Sequence, residues 1–260
     1  MMSEQYFLDC YVITHMGKVR EKNEDNFYFF HHVLKENETF KNEGAYTDHP
    51  LLFGVFDGMG GLSYGEQASF ICADVCCHYD LHEQFLKDDM IAICHIANAQ
   101  VNIKKRRLMT EMGSTASMLT FFHNDVFLCN IGDSPIFLMR SHHLRRISKE
   151  HTEKDLYEKL YGPYHQKTKF RLTQNIGLSD ADMHIQPYTD QIKLQDGDIY
   201  LISSDGLTDM VNEEDIEKEL DCFDNQTIHR LLKRALDRGG NDNITIILMK
   251  VSREEVLWKK

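Results

Sequence analysis

Three aspartates lie at the ends of apolar segments, where their carboxylates could take part in metal chemistry. Asp57 follows LLFGVF directly, Asp205 follows YLISS, and Asp242 comes just before NITIILM. If these segments are strands, the three carboxylates can converge on one end of a sheet. Two like charges about 4 Å apart repel by about 4 kcal/mol at an effective dielectric constant near 20, so the group either binds protons or holds a cation. Carboxylate oxygens without His or Cys ligands favour Mg²⁺ or Mn²⁺ over Zn²⁺.

Each aspartate taken singly also has a second interpretation, because Asp-Gly is a common turn sequence. Asp196-Gly197 in KLQDGDIY is interpreted as a turn alone. What favours metal chemistry is the set of three acids, together with the glycines at 58, 60 and 61. Glycines remove side chains from the turn and let a backbone carbonyl approach an ion.

The strands that must position these acids can be predicted from the apolar pattern. Short apolar runs at 51–56, 198–203 and 243–251 are typical of buried strands. A further strand is predicted over 6–14. Four apolar segments separated by turns predict a β meander over 114–147.

Helices and irregular segments are predicted between these strands. DDMIAICHIANAQVNIKKRRLM (88–109) has a helical apolar period, with acids at its start and bases at its end. Residues 31–49 are polar and are predicted to form a loop. The segment 148–180 is charged and has no clear period, which favours a mobile flap.

Composition limits the classes of function. The 260 residues contain 29 Lys+Arg against 41 Asp+Glu, a formal charge of −12. Nucleic acid is bound mainly through Lys and Arg, so it is not an expected partner, and an anionic membrane would repel this chain. With 42% hydrophobic residues and 4 prolines, residues 1–260 are expected to form a single folded domain.

The cysteines and the N-terminal sequence predict a cytoplasmic protein. The seven cysteines are odd in number and irregularly spaced, and MMSEQYFLDC lacks the basic and apolar regions of a signal peptide. The longest apolar runs are far shorter than the ~18 residues that a membrane-spanning helix needs. No membrane partner is therefore expected.

Seven short motifs follow one another along nearly the whole chain. They are GKVREKNEDNF (17–27), GVFDGMGG…GEQAS (54–69), GSTA (113–116), NIGDS (130–134), LTQNIG (172–177), SSDGLTDMV (203–211) and GGNDNIT (239–245). Together they resemble the metal-dependent Ser/Thr protein phosphatases, the PPM or type 2C group, in their bacterial form. The resemblance implies an α+β fold, a four-layer αββα sandwich in which two central antiparallel β-sheets are flanked by helices. It also implies metal ions in a cleft at the edge of the sandwich.

The resemblance implies a role for each acid at a matching position. Asp57 would bridge two Mg²⁺ or Mn²⁺ ions, and the carbonyl of Gly58 would ligate one of them. Asp205 and Asp242 would complete the protein ligands of the other ion.

Further positions would support these ions or bind the substrate. Glu24 and Asp25 match acids that support the cluster through water or from behind the ligands. Arg20 matches an arginine that binds the substrate phosphate, which suits the two-pronged guanidinium. A third, weaker metal would be held by Asp133, Asp205 and Asp209.

The mechanism that the resemblance implies is direct hydrolysis by water that bridges the two ions, without a covalent intermediate. The metals and Arg20 would offset the charge that develops on the phosphoryl group. The proton donor to the leaving alkoxide stays open. Eukaryotic relatives have a His two residues after the bridging aspartate, and this chain has Met59 there, as bacterial members do.

Three positions depart from the family pattern. Leu62 stands where His often follows DGMGG, Pro135 stands where Arg often follows GDS, and EHT (150–152) stands where DHT or DHS is usual. The residues replaced at 62 and 135 are not metal ligands in the family. The departures therefore bear on the flap side of the cleft and on substrate preference.

Two other functions stay open on the sequence. Residues 61–65 fit the G-x-S-x-G elbow of serine hydrolases, with Ser63 as nucleophile, although the strand does not run straight into Ser63 as an elbow requires. A non-catalytic pseudophosphatase that binds a partner would be marked by loss of a metal ligand. The three strand-end aspartates and Arg20 are all present.

The partners implied are phosphoserine and phosphothreonine proteins, the targets of a Ser/Thr protein kinase. The acidic surface expected over 212–224 and in the flap would disfavour phosphosites with acidic neighbours. The oligomeric state cannot be read from the sequence.

Overall fold

Two antiparallel β-sheets packed face to face form the centre of the computed structural model, which describes residues 4–34, 39–60, 64–162, 170–179 and 184–255. The strands are β1 (Glu4–His15), β2 (Asn26–Phe29), β3 (His32–Val33), β4 (Thr39–Tyr46), β5 (Leu51–Phe56), β6 (Gly58–Met59), β7 (Gly113–Ser114), β8 (Ala116–Phe122), β9 (Asp125–Ile131), β10 (Ile136–Arg140), β11 (His143–Arg146), β12 (Tyr188–Lys193), β13 (Ile199–Ser203) and β14 (Ile244–Glu255). The helices are α1 (Gly65–His78), α2 (Leu86–Leu108), α3 (Lys154–Tyr161), α4 (Asp205–Thr208), α5 (Glu213–Asp221) and α6 (Thr227–Asp237).

The first sheet joins the two ends of the described chain. Its strand order is β11-β10-β13-β14-β1-β4. β1 pairs with β14 over twelve residues, from Glu4 opposite Glu255 to His15 opposite Ile244. The side chains of β1 are buried on both faces, because Leu8 and Val12 face the second sheet while Tyr11 and Ile13 face the helices.

The second sheet has the order β12-β9-β8-β5-β2-β3. β5 lies at its middle and is buried along its whole length. β8 and β9 form a hairpin in this sheet, and β12 adds to β9 from a distant part of the chain. The prediction of one meander over 114–147 is wrong, because β10 and β11 form a second hairpin that belongs to the first sheet.

The prediction of a loop over 31–49 is wrong for part of that segment. Thr39–Tyr46 form strand β4, which pairs with β1 at the edge of the first sheet. An edge strand has one neighbour and exposes much of its surface, so it needs no apolar alternation. Most of TFKNEGAY is indeed at least partly exposed, and the polar residues that suggest a loop are tolerated there.

Helices cover the outer face of each sheet. α1 and α2 pack on the second sheet through residues such as Ala73 and Ile93. α5 and α6 pack on the first sheet through Ile216 and Leu231, and a third apolar core fills the space between the sheets. The predicted four-layer αββα sandwich is therefore confirmed.

The predicted flap, 148–180, contains helix α3 at 154–161. An isolated antiparallel β-bridge between Thr152 and Leu172 joins the segments on either side of this helix. Residues 163–169 and 180 of the flap lie outside the described residues.

A buried ion pair joins β10 to the start of β13. Asp198 is 1% exposed, and both of its oxygens accept hydrogen bonds from the guanidinium of Arg140, at 2.7 and 2.6 Å. The same carboxylate accepts from the backbone N–H of Gln195 at 2.9 Å. The carboxylate of Asp198 thus closes the turn predicted at Asp196-Gly197.

Across the ranges that the structure describes, no helix is both long and apolar enough to cross a membrane.

Candidate metal centre

Strand ends from both sheets meet at one edge of the sandwich. In antiparallel sheets, the end of one strand lies beside the start of its neighbour. The register places Phe56 opposite Asn26, Ile131 opposite Ala116, and Ser203 close to the start of β14. The segments that leave or enter these strands at this edge carry the acids predicted from the sequence: Glu24, Asp25, Asp57, Asp133, Asp205 and Asp242.

Asp57 lies at the centre of this group. Burial raises the pKa of its carboxyl well above the ordinary value, and the charges of Asp25, Asp205, Asp133 and Asp242 raise it further. A carboxylate in these surroundings is unfavourable unless it binds a proton or a cation. The centre therefore has the electrostatics of a cation site.

Thr115 fixes the backbone of Asp57 from the neighbouring strand. The N–H of Asp57 donates to the hydroxyl of Thr115 at 3.0 Å, and the N–H of Thr115 donates to the carbonyl of Asp57 at 2.9 Å. The Thr115 hydroxyl also lies 2.7 Å from that of Ser134, beside Asp133. The sequence assigned no role to Thr115, because its contacts are made with backbone atoms 58 positions away.

Asn243 fixes the loop that carries Arg20 and Glu24. Its side-chain oxygen accepts from the N–H of Glu24 at 2.8 Å, and its amide donates to the carbonyls of Met16 and Lys22, both at 2.8 Å. One side chain next to Asp242 thereby sets the position of the loop. Asn243 is part of the GGNDNIT motif, but nothing in its spacing reveals this role.

Asp25 lies beneath the cluster, 2% exposed. Burial raises the pKa of this carboxyl to about 7. Hydrogen bonds from Thr245 and Ser204 act against the increase, while the charges of Asp205 and Asp242 add to it. The hydroxyl of Thr245 donates to Asp25 at 2.7 Å. This position agrees with a supporting role behind the ligands.

Gly58 is packed too tightly for any side chain. A Cβ atom there would lie 2.3 Å from the carbonyl oxygens of both Glu24 and Gly65. Beside it, Glu66 brings another acid to the start of α1, and its Oε2 is buried without a hydrogen-bond partner in the described structure. Burial raises the pKa of Glu24, and the charge of Glu66 raises it further. Glu66 is an acid of this region that the sequence interpretation did not single out.

Arg20 contacts the acidic cluster directly. Its guanidinium donates to Asp242 at 2.7 Å and is half exposed, so other N–H groups face solvent. The prediction placed Arg20 on a substrate phosphate. In the structure Arg20 is bonded to Asp242, and its contact with phosphate stays a prediction.

The remaining predicted residues are placed as follows. Asp209 lies one helical turn after Asp205, and its N–H donates to the carbonyl of Asp205 at 2.8 Å. The carbonyl of Asp133 accepts from Arg146 at 2.7 Å. Ser63, the alternative nucleophile, lies outside the described residues.

The donors fit Mg²⁺ or Mn²⁺ by their chemistry. They are carboxylate and carbonyl oxygens, and the mutual repulsion of the carboxylates would be relieved by a hard cation. Among the residues that the structure describes, no group of three or more His, Cys, Asp or Glu side chains is arranged so that it could hold a metal ion. The fit therefore rests on the donor set and on the raised pKa of Asp57.

The fold matches that of a class of solved phosphatase structures. The crystal structure of the catalytic domain of serine threonine protein phosphatase PstP, in complex with two manganese ions, aligns with a TM-score of 0.80 and 26% sequence identity. The alignment covers 95% of this chain and 99% of that chain.

Residues 11–160, more than half of the chain, match the family model of Protein phosphatase 2C. The chain belongs to this family. It is 28% identical over 243 residues to the serine/threonine protein phosphatase PstP of Mycobacterium tuberculosis, an alignment that covers 90% of this chain and 43% of that protein. It is 26% identical over 264 residues to the protein phosphatase PhpP of Streptococcus pneumoniae, covering 95% and 99%. The chain thus spans less than half of the mycobacterial relative and nearly all of the streptococcal one.

Proposed function

We propose that this chain is a Mg²⁺/Mn²⁺-dependent protein phosphatase that hydrolyses phosphoserine and phosphothreonine. The observation that carries the proposal is the acidic centre, in which Asp57 is surrounded by four other carboxylates whose charges raise its pKa. This centre occurs in a chain of the Protein phosphatase 2C family. Both observations disfavour a non-catalytic binding module, which would be expected to lose such a centre.

Two divalent ions would be held by Asp57, the carbonyl of Gly58, Asp205 and Asp242. When bound, they would make water a better nucleophile at neutral pH and stabilise negative charge on the phosphoryl group. We assign a third, weaker ion to the acids that match its ligands, Asp133, Asp205 and Asp209.

The chain's own residues hold this centre and the substrate in place. Thr115 fixes the backbone at Asp57, and Asn243 fixes the loop of Arg20. Glu24 and Asp25 would support the ligands as further acids of the centre, and burial raises the pKa of both carboxyls. Arg20 would bind the phosphate through the N–H groups that it does not use on Asp242.

The direct test is metal-dependent hydrolysis by the purified chain. We expect Mn²⁺ to stimulate turnover of p-nitrophenyl phosphate and of a phosphothreonine peptide, and excess EDTA to abolish both. Restoring Mn²⁺ after EDTA should restore the rate, which separates metal removal from damage to the protein. Undiminished turnover in EDTA would contradict the proposal, and so would the absence of turnover at any Mn²⁺ concentration.

Arg20→Ala should weaken phosphate binding more than it slows the chemical step. We expect KM for p-nitrophenyl phosphate to rise about tenfold with a smaller fall in kcat, because a charge-assisted contact to the phosphate is lost. Inhibition by inorganic phosphate should weaken to the same extent. Lys22→Ala, in the same loop and exposed, is the matched control and should leave KM unchanged.

The result also decides between two roles of Arg20. If its main task is to hold Asp242, Arg20→Ala will instead raise the Mn²⁺ concentration needed for half-maximal rate while KM stays constant. An unchanged KM would therefore remove Arg20 from the phosphate site.

We infer that the substrates are phosphoproteins made by a Ser/Thr protein kinase, and that the protein acts in the cytoplasm. We also propose that residues 1–260 act as one catalytic domain, with 148–180 as its flap. The bacterial relatives, which are named as protein phosphatases, support phosphoprotein substrates.

A further inference from the structure

Glu66, in the first turn of α1, has a buried carboxylate oxygen that lacks a hydrogen-bond donor. Its Oε2 atom is shielded from solvent and has no partner among the residues that the structure describes. The other two side-chain atoms in this condition within those residues are the hydroxyl oxygens of Thr120 and Ser203. A buried acceptor without a donor is costly, and more so when the group is charged. Such an acid is therefore placed to interact with a bound ion or with water held by one.

The first turn of α1 lies directly against the proposed metal ligand Gly58. A Cβ atom on Gly65 would be 3.0 Å from the carbonyl oxygen of Gly58 and 2.9 Å from its carbonyl carbon. A Cβ atom on Gly58 would in turn be 2.3 Å from the carbonyl oxygen of Gly65. The two backbones approach this closely because both residues are glycine. Glu66 thus follows a residue that is packed against the carbonyl group proposed to bind the ion.

Glu24 brings a second acid to the same turn of the helix. A Cβ atom on Gly65 would lie 3.0 Å from the carboxyl carbon of Glu24. The hydroxyl of Ser69 donates to the backbone carbonyl of Glu24 at 2.6 Å, which ties the two segments together. The charge of Glu66 adds to the effect of burial in raising the pKa of Glu24. Two acids that repel each other beside the carbonyl of Gly58 favour a cation there.

An acid in the first turn of a helix also has a structural explanation. Glu or Gln at this point can accept a hydrogen bond from the backbone N–H of a serine three residues earlier. Ser63 stands three residues before Glu66, and it lies outside the described residues. Glutamine fulfils this capping role as glutamate does, whereas attraction of a divalent ion requires the negative charge. The substitution Glu66→Gln therefore separates the two roles.

We propose that Glu66 is a positioning residue for the divalent ion at the carbonyl of Gly58, and that its buried carboxylate strengthens binding of this ion without being a ligand. Divalent ions such as Mg²⁺ keep several water molecules when they bind to proteins. Groups behind the ligands accept hydrogen bonds from the atoms around a metal and increase its affinity. The unpaired oxygen of Glu66 would accept such a bond. The proposal rests on the proposed function, because it requires the metal centre.

The test measures Mn²⁺ affinity directly and without a substrate. Isothermal titration calorimetry of the full chain, after removal of metal with EDTA and dialysis, gives the Kd for Mn²⁺. We expect Glu66→Gln to raise the Kd of at least one Mn²⁺ site about tenfold, the usual effect of removing a group that supports metal ligands. KM for p-nitrophenyl phosphate at saturating Mn²⁺ should stay unchanged, because the proposal gives Glu66 no contact with the phosphate.

Asp74→Asn is the matched control, because it removes one negative charge from the same helix more than two turns away. The side chain of Asp74 is 44% exposed and pairs with His78 at 3.5 Å. Exposed charges are screened by solvent and salt, so each Kd for Mn²⁺ should stay within about twofold of the parent value. Circular dichroism and a thermal unfolding midpoint in EDTA establish that both variants are folded.

The outcomes separate the role of Glu66 from the proposed function. If folded Glu66→Gln binds Mn²⁺ as tightly as the parent, the role at the metal centre is overturned, while phosphatase activity of the parent still stands. If the parent binds Mn²⁺ but does not hydrolyse p-nitrophenyl phosphate or any phosphopeptide, the proposed function fails, and the Kd values still decide the role of Glu66. A parent that binds no Mn²⁺ would overturn both.

Discussion

Asp57→Asn should lower kcat for p-nitrophenyl phosphate by at least about 10³-fold, or about 4 kcal/mol of transition-state stabilisation. Asp57 is the carboxylate on which the charges of Asp25, Asp133, Asp205 and Asp242 converge. Asparagine has nearly the same shape but no charge, so it removes the attraction for divalent ions while the fold is kept. Initial rates at saturating substrate, measured over a range of Mn²⁺ concentrations, give the effect.

The same substitution should stabilise the metal-free protein. The raised pKa of Asp57 means that its charged form is unfavourable in the folded state, so a neutral side chain relieves repulsion at pH 7. In EDTA the variant should unfold at a higher temperature than the parent. Added Mn²⁺ should raise the midpoint of the parent by mass action and that of the variant much less.

Asp80→Asn is the matched control, since Asp80 is exposed and lies beyond the C-terminal end of α1. It should leave both kcat and the Mn²⁺-induced shift unchanged. Persistent turnover in Asp57→Asn, with a normal Mn²⁺-induced shift, would show that Asp57 is not the central ligand.

The second large effect concerns stability and lies far from the metal centre. Arg140→Met should lower the free energy of unfolding by about 3–5 kcal/mol, because it leaves the carboxylate of Asp198 buried and without its cation. Methionine retains most of the apolar length of arginine, so little packing is lost. Urea unfolding followed by circular dichroism measures the change.

A matched arginine and a double variant test the cause. Arg145→Met, on the neighbouring strand and exposed, should change the free energy of unfolding by less than about 0.5 kcal/mol. Arg140→Met combined with Asp198→Asn should be more stable than Arg140→Met alone, because the unpaired charge is gone. Equal losses of unfolding free energy in the two arginine variants would mean that the buried ion pair contributes no more to stability than an exposed arginine does.

The sequence predicts the central part of the fold well, and for a physical reason. β5, β13 and β14 are buried on both faces, so they are continuous apolar runs, and their ends locate Asp57, Asp205 and Asp242. β4 could not be predicted, because an edge strand with exposed side chains has the composition of a loop. Helix α3 lies in a charged segment and has exposed apolar side chains such as Leu156 and Leu160, so no buried stripe marks it.

The support of the site is also hidden from the sequence. Thr115 and Asn243 act through hydrogen bonds to backbone atoms of distant loops. Because all residue types share these backbone atoms, the sequence does not show which of them form such bonds. Lys105 and Asn175 line one cavity only because the fold brings α2 and the 175–179 segment together. Which acids lie together could be predicted, whereas what holds them in place required the structure.

The pairing of β1 with β14 has a consequence for protein synthesis. β14 stands between β13 and β1 in the first sheet, so a nascent chain that lacks residues 244–255 has this sheet in two unconnected parts. Asp205 follows β13, and Asp242 directly precedes the segment that forms β14, so these two proposed ligands come together only when β14 docks. β1 can pair with β4 early, but its other edge stays unpaired until β14, more than 200 positions later, is made, and this long-range closure slows folding. The proposed phosphatase activity is therefore expected to appear only after β14 has been synthesised.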